Sequence, residues 1–240
     1  MKKIFGLLSV LVLMFSACDD GHVDDPTTVI ESTGYTAYVS GTFKKVDSWS
    51  GSYSVVIAGF SSESEYATIQ MILPSTDEST SFTLDNIPSN TNTIEIAVVN
   101  SLRKRIATLY TYTIPEGQST NSPIELDLGE MNVGMFDAIN QAVFQSGTTT
   151  CAKCHQGDNP AGSLDLSSAN AYASLVGIAS TKAPDQKRVV PGNAENSYLY
   201  KVISTGDSNV HFSHTGFFAG DDMAAMLKLI KEWINNGAKE

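Results

Sequence analysis

The feature that most constrains the fold of this chain is a change of hydrophobic period near residue 130. Before it, apolar and polar residues alternate in seven runs, at 35–43, 53–60, 66–73, 80–84, 93–99, 106–112 and 123–128. A period of two places alternate side chains on one face of an extended strand. The runs are rich in β-branched and aromatic residues and are separated by Ser-, Gly-, Asn- and Pro-bearing turns. Seven such strands in about 95 residues predict an antiparallel β-sandwich of immunoglobulin-like size. After residue 134 the period becomes helical, with Met135, Phe136, Ile139, Val143 and Phe144 on one face.

Two patterns imply two domains, an all-β sandwich at 34–129 and a second, helical domain at 134–240. The composition supports folded cores: 42% of the 240 residues are hydrophobic and 17% charged, which excludes a disordered chain. The formal net charge of −11 argues against binding nucleic acid phosphate.

The first residues read as export information. Lys2 and Lys3 precede an apolar run at 4–15 and the small residues Ser16 and Ala17, in the order of a secretory signal and too short to span a bilayer. Phe15-Ser16-Ala17-Cys18 looks like a bacterial lipoprotein box. Residues 1–18 are therefore expected to form a lipoprotein signal peptide ending at a lipidated Cys18, and the acidic segment 19–33 a flexible tether. That places the protein in the periplasm or on the outer membrane, held by its N-terminal lipid, with display at the cell surface as a further option.

The β-patterned segment offers little chemistry, having neither histidine nor cysteine. Tyr38, Trp49 and Tyr53 could build a sugar-binding platform, but aromatics are ordinary strand residues, and core or cross-strand pairing is the simpler reading. Arg103-Lys104-Arg105 reads as a solvated hairpin turn before it reads as a docking patch.

The helical segment contains Cys151-Ala152-Lys153-Cys154-His155, the CxxCH signature of covalent c-type haem attachment. With three Cys and four His in the chain, a random shuffle yields the motif roughly four times in ten thousand. Cysteines three apart on a helical turn present both sulfurs to one edge of a flat ring, where they can form thioethers with its vinyl groups. His155 then faces the iron as proximal ligand. A Cys2His2 zinc site from Cys151, Cys154, His211 and His214 is the competing reading, disfavoured by its gaps of two and 56 residues; a Cys151–Cys154 disulfide is a third.

From about residue 135 to 239 the chain resembles the small cytochrome c-like domains of exported bacterial proteins, including planctomycete-type cytochromes. The residues that carry this are Cys151 to His155, Pro160, Gly162-Ser-Leu-Asp-Leu166, Val190-Pro-Gly-Asn193, Ser197-Tyr-Leu-Tyr200 and the ending Trp233 to Ala238. The resemblance implies an all-α cytochrome c-like domain with one covalent haem c. It also implies that the Pro160 carbonyl accepts a hydrogen bond from the His155 ring, and that the last helix packs on the first. That last helix, its apolar stripe formed by Met223, Met226, Leu227, Ile230, Trp233 and Ile234, reads as capped by Asp221 or Asp222 and closed by Gly237.

The sequence departs from that family at the distal ligand. Where a Met-Pro pair is usual, residues 206–218 contain no methionine but two histidines. His214, in His-Thr-Gly, is the favoured sixth ligand, with His211 as the alternative, while Met223 and Met226 read as core. Tyr198 and Tyr200 are expected to line the haem crevice, and Phe212, Phe217 and Phe218 to shield it. The functional expectation is an electron carrier serving an unidentified redox partner protein, not an enzyme. The alternatives are a surface glycan- or protein-binding lipoprotein with structural haem, and a haem-based gas or redox sensor.

Overall fold

The computed structural model describes residues 34–240 except Ser50, Asp77, Thr148 and Thr150. The expected signal peptide, Cys18 and tether lie outside these residues. Seven strands form: β1 (Tyr35–Lys44), β2 (Tyr53–Phe60), β3 (Ile69–Ile72), β4 (Thr80–Ile87), β5 (Thr93–Asn100), β6 (Arg105–Thr113) and β7 (Ile124–Asn132). They make two sheets, of order β4-β1-β7 and β3-β2-β5-β6. The wholly antiparallel expectation fails at one pair, because β1 and β7 run parallel. Those two strands are the first and last of the set, so no short hairpin dictates their relative direction. Gly41 sits at the register shift between Ser40 and Thr42, where an added Cβ would lie 3.0 Å from the Gly129 carbonyl oxygen.

The strand alternation produces the burial it predicts in β1 and β4, where Ala37, Val39, Phe43, Phe82, Leu84 and Ile87 turn inward. In β2 and β5 both faces are buried. The second face, with Val56, Ala58, Phe60, Ala67, Ala97 and Val99, forms its own small cluster. The segment after β2 closes over it through Ala67 N–H to the Arg103 carbonyl (3.0 Å) and Arg105 N–H to the Glu65 carbonyl (2.7 Å). Arg105 lies over the Phe60 ring, 4.7 Å from its centroid, and donates to Glu95 at 2.7 Å and to Glu65 at 3.0 Å. Arg103 donates to the Ala67 carbonyl at 2.8 Å, and Lys104 lies 3.5 Å from Asp222. The basic triplet is thus tied into the fold.

The remaining elements are α1 (Met135–Ile139), continued by a wide π-turn (Asn140–Phe144), then α2 (Cys151–Cys154), α3 (Ala171–Leu175), α4 (Tyr198–Ser204), a 3-10 turn (Thr215–Phe218) and α5 (Asp221–Asn235). The expected all-α domain is not what forms. Six of these seven are seven residues or shorter, and they are joined by irregular chain that includes bridges between Val176 and Val189 and between Ala179 and Lys187. The reason lies in the connecting sequence. Residues 156–170 and 180–197 are dense in Gly, Pro, Asn, Asp and Ser, which favour turns over helix interiors. The described chain is a mixed α and β structure.

The main buried cluster of the described residues crosses the boundary expected at residues 129–134. The described residues fall in one compact unit, and one buried cluster runs from Ala37, Ile57 and Leu84 of the sheets into Phe136, Leu175, Ile230 and Trp233. The junction is stitched by polar contacts as well: Trp49 Nε1 donates to the Val133 carbonyl at 2.7 Å, Met135 N–H donates to Ser48 Oγ at 2.8 Å, and Lys45 pairs with Asp137 at 3.6 Å. The aromatics read as a possible sugar platform are divided: Tyr53 is buried with Trp49 edge-on against it at 6.5 Å, while Tyr38 is exposed.

The last helix packs on the first, as expected. The Phe136 ring lies 5.1 Å from Trp233, 5.2 Å from Tyr172 and 6.4 Å from Phe144. Trp233 Nε1 donates to the Lys239 carbonyl and Tyr172 Oη to that of Ala238, which fastens the chain end. Asp221 and Asp222 stand in the first turn of α5, next to its positive end. They do not cap it, however, because the cap position is Gly220 at φ 99°. Among the described residues no helix is long and apolar enough to cross a membrane.

Candidate functional site

The short helices surround a cavity of about 620 Å³, within the range of cofactor sites. Its apolar walls come from Val143 and Phe144 after α1, Leu164 and Leu166 of the following loop, Leu175 of α3, Leu199, Val202 and Ile203 of α4, and Phe217 and Phe218 of the 3-10 turn. Cys151, Cys154, His155, His211 and His214 all line it. Folding thus brings together every residue that the sequence nominated for cofactor attachment and iron ligation within the described chain.

The attachment motif occupies a single helical turn, closed by His155 N–H donating to the Cys151 carbonyl at 3.0 Å. Both cysteines are free thiols; Cys154 is exposed and Cys151 half-buried. Burial is the main influence on the Cys151 thiol and pushes its pKa up. Among the described residues no three His, Cys, Asp or Glu side chains converge tightly enough to hold a bare metal ion, so the four-ligand zinc arrangement does not form.

His155 Nδ1 lies 2.9 Å from the Ala161 carbonyl. The expected acceptor was Pro160, one residue earlier. The Pro160 carbonyl instead accepts from Ser163 N–H, closing the Ala161–Ser163 turn, and that turn aims the next carbonyl at the imidazole. A carbonyl on Nδ1 fixes the tautomer with the proton there and leaves Nε2 as a lone-pair donor. Burial, the largest cause, lowers the His155 pKa and favours the neutral ring that a metal requires.

Across from it, the His214 ring centre lies 6.1 Å from that of His155, with the planes 37° apart. Two imidazoles bound on opposite sides of one metal, with nitrogens at about 2.0 Å and ring centres about 1.1 Å beyond, would be about 6.2 Å apart. An ordinary tilted ring pair can also have this spacing, so the distance gains meaning from two further facts. Both rings face the same apolar cavity, and His214 Nδ1 is buried with no hydrogen-bond partner, a costly state unless something binds it. Burial lowers the His214 pKa; the Phe212 carbonyl offsets part of this from a position that does not make a hydrogen bond. His211 lines the same cavity but is exposed.

Met226 is buried in the core and Met223 packs against it; neither lines the cavity. Tyr198 lines it with a buried, unpartnered hydroxyl, whereas Tyr200 lies beside Lys231. Phe217 and Phe218 contribute to the wall, but Phe212 is 61% exposed and stands at the rim.

Two participants had no sequence signal. Ala161 acts through its carbonyl, which any residue would supply. Arg188 lines the cavity while buried, yet in the sequence it is one basic residue beside Lys187.

Residues 151–211 match the Planctomycete cytochrome C family. The match begins at the first attachment cysteine and ends at His211, three residues before His214. It supports a cytochrome c-like region in this part of the chain and, with it, covalent haem. No curated protein and no solved structure matches the chain.

The residues present fit a haem. The cavity is apolar and of cofactor size, two thiols three residues apart line it, one imidazole is oriented by a carbonyl, and a second lines it with a buried nitrogen that has no partner.

Proposed function

We propose that the protein is an electron-transfer cytochrome of the cell envelope, holding one haem c through Cys151 and Cys154, with His155 and His214 on the two faces of its iron. The observation that carries this reading is the facing pair of histidines across an apolar cavity that also contains both cysteines. Cys151 and Cys154, as reduced thiols, would hold the haem through thioether bonds. Bound in this way, a haem supplies a one-electron couple.

The chain's own residues supply the rest. The Ala161 carbonyl holds the His155 ring in one tautomer and raises its basicity. The walls from α3, α4 and the 3-10 turn exclude water. With imidazole in place of a thioether as sixth ligand, the couple loses the ligand that raises potential, so a low-potential, six-coordinate, low-spin centre is expected. With His155 and His214 both holding the iron, the role would be transfer of electrons to a partner protein rather than catalysis. Lipidation at Cys18 would hold the carrier at the membrane, in the periplasm or on the outer membrane.

The test is to express the chain with haem-attachment machinery and take a pyridine haemochrome spectrum, then compare His214→Ala with His211→Ala. The reading expects covalent haem in all three, with the low-spin spectrum and insensitivity to carbon monoxide lost only in the His214 variant. Colourless protein, or pigment extracted by acidified acetone, would remove the electron-carrier reading.

A further inference from the structure

Arg188 is 6% exposed, and its identified partners are neutral carbonyls. Nη1 donates to Ser174 at the end of α3 (2.7 Å), and Nη2 donates to both Gly162 and Ser163 (2.9 Å each). Among the described residues no carboxylate offsets the burial of this guanidinium. A buried, unpaired cation is costly, and proteins that retain one generally use its charge or its geometry.

Both uses are open to it here. Gly162 and Ser163 adopt left-handed backbone conformations, φ 62° and 51°, which is unfavourable for the serine. That conformation turns both carbonyls toward Arg188, and Thr181 Oγ1 is a second donor to the Gly162 carbonyl at 2.7 Å. The clamped turn is the one whose first residue, Ala161, holds His155 Nδ1. The guanidinium therefore holds the two carbonyls that directly follow the one orienting the imidazole, and it lines the same cavity.

We propose that Arg188 is a positioning and charge-tuning residue for the iron that His155 holds, clamping the Ala161–Ser163 turn and placing a fixed positive charge beside the redox centre. This rests on the haem reading above. The two roles have opposite effects on the midpoint potential. A firm hydrogen bond on Nδ1 makes the imidazole a stronger donor and favours the oxidised iron, whereas the cation favours the reduced iron. Lysine keeps the charge but cannot reach three carbonyls with the planar fork of arginine, and glutamine loses the charge.

The experiment is potentiometry on holoprotein carrying Arg188→Gln or Arg188→Lys, alongside urea titration of each. Glutamine should lower the midpoint by about tenfold in the reduced-to-oxidised ratio at fixed potential, about 59 mV for one electron. That is the order expected of one unit charge acting at short range inside a protein. Lysine should leave the midpoint at or above that of the parent, while both variants unfold at lower urea. Equal shifts in the two variants would reduce Arg188 to a structural clamp and overturn the tuning role; no shift in either would overturn it as well. The haemochrome spectrum separates the two failures. Covalent haem with an unmoved midpoint defeats only the inference, and absence of covalent haem in the parent defeats both.

Discussion

Replacing Phe136 with alanine tests whether the strands and the short helices share one core. Phe136 is 4% exposed, and its ring meets Phe144, Tyr172 and Trp233 at centroid separations of 6.4, 5.2 and 5.1 Å. Loss of a buried phenylalanine side chain costs about 3–5 kcal/mol, and the aromatic pairs place this site toward the upper part of that range. With a urea dependence of about 2–3 kcal/mol per molar for a chain of this size, the unfolding midpoint should fall by about 1.5–2 M. The chain has two tryptophans. Trp49 donates to Val133 at the strand end of the junction, and Trp233 lies in α5, so their indole N–H resonances report on the two parts separately. Both should disappear at one urea concentration in the parent protein and together at a lower one in the variant. Separate midpoints for the two resonances in the parent, or a destabilisation below about 1 kcal/mol, would refute the shared core.

Other consequences follow from single residues. Tyr53 has its pKa pushed up to about 12 by burial and, secondarily, by the Glu232 carboxylate, against an ordinary value near 10 in the unfolded chain. The folded state thus keeps this proton longer than the unfolded one. The contribution is intact below about pH 10 and is lost as pH rises through about 12; Tyr53→Phe should flatten that part of the stability curve, measured by urea titration at successive pH values. An unchanged slope in the variant would exclude Tyr53 as its source. Glu95 is 3% exposed and accepts from Arg105, Thr93 and Thr108 at 2.7, 2.8 and 2.9 Å. Glu95→Ala strands these three donors and should cost about 2–4 kcal/mol by urea denaturation, with the haem spectrum of the holoprotein unaltered.

The strands and the attachment motif were legible in the sequence because both depend on local spacing. A period of two is visible within each strand, and the seven expected runs all contain strands, although the third is confined to Ile69–Ile72. The apolar stripe of α5 was legible for the same reason, except that Leu229, which is fully buried, was absent from it. Gly237 closes that helix in a left-handed conformation, as expected, but its start was misread because Asp221 and Gly220 both suit a boundary, and only the backbone angle at Gly220 separates them. The all-α expectation came from a resemblance carried by a few short motifs, and turn-forming residues between them shortened most of the helices.

What the residues determined alone is the chemistry on offer: two thiols and an imidazole in five positions, two loop histidines, and no methionine where a distal ligand was expected. Tertiary structure decided which of these groups meet. It set His214, rather than His211, opposite His155, gave the Nδ1 proton to Ala161 instead of Pro160, and buried Arg188 behind the turn that orients the ring. Each of those outcomes depends on chain segments tens of residues apart closing around one cavity, or on a single backbone rotation within a turn. Side-chain spacing along a sequence encodes periodicity, but it does not encode the direction in which a carbonyl points.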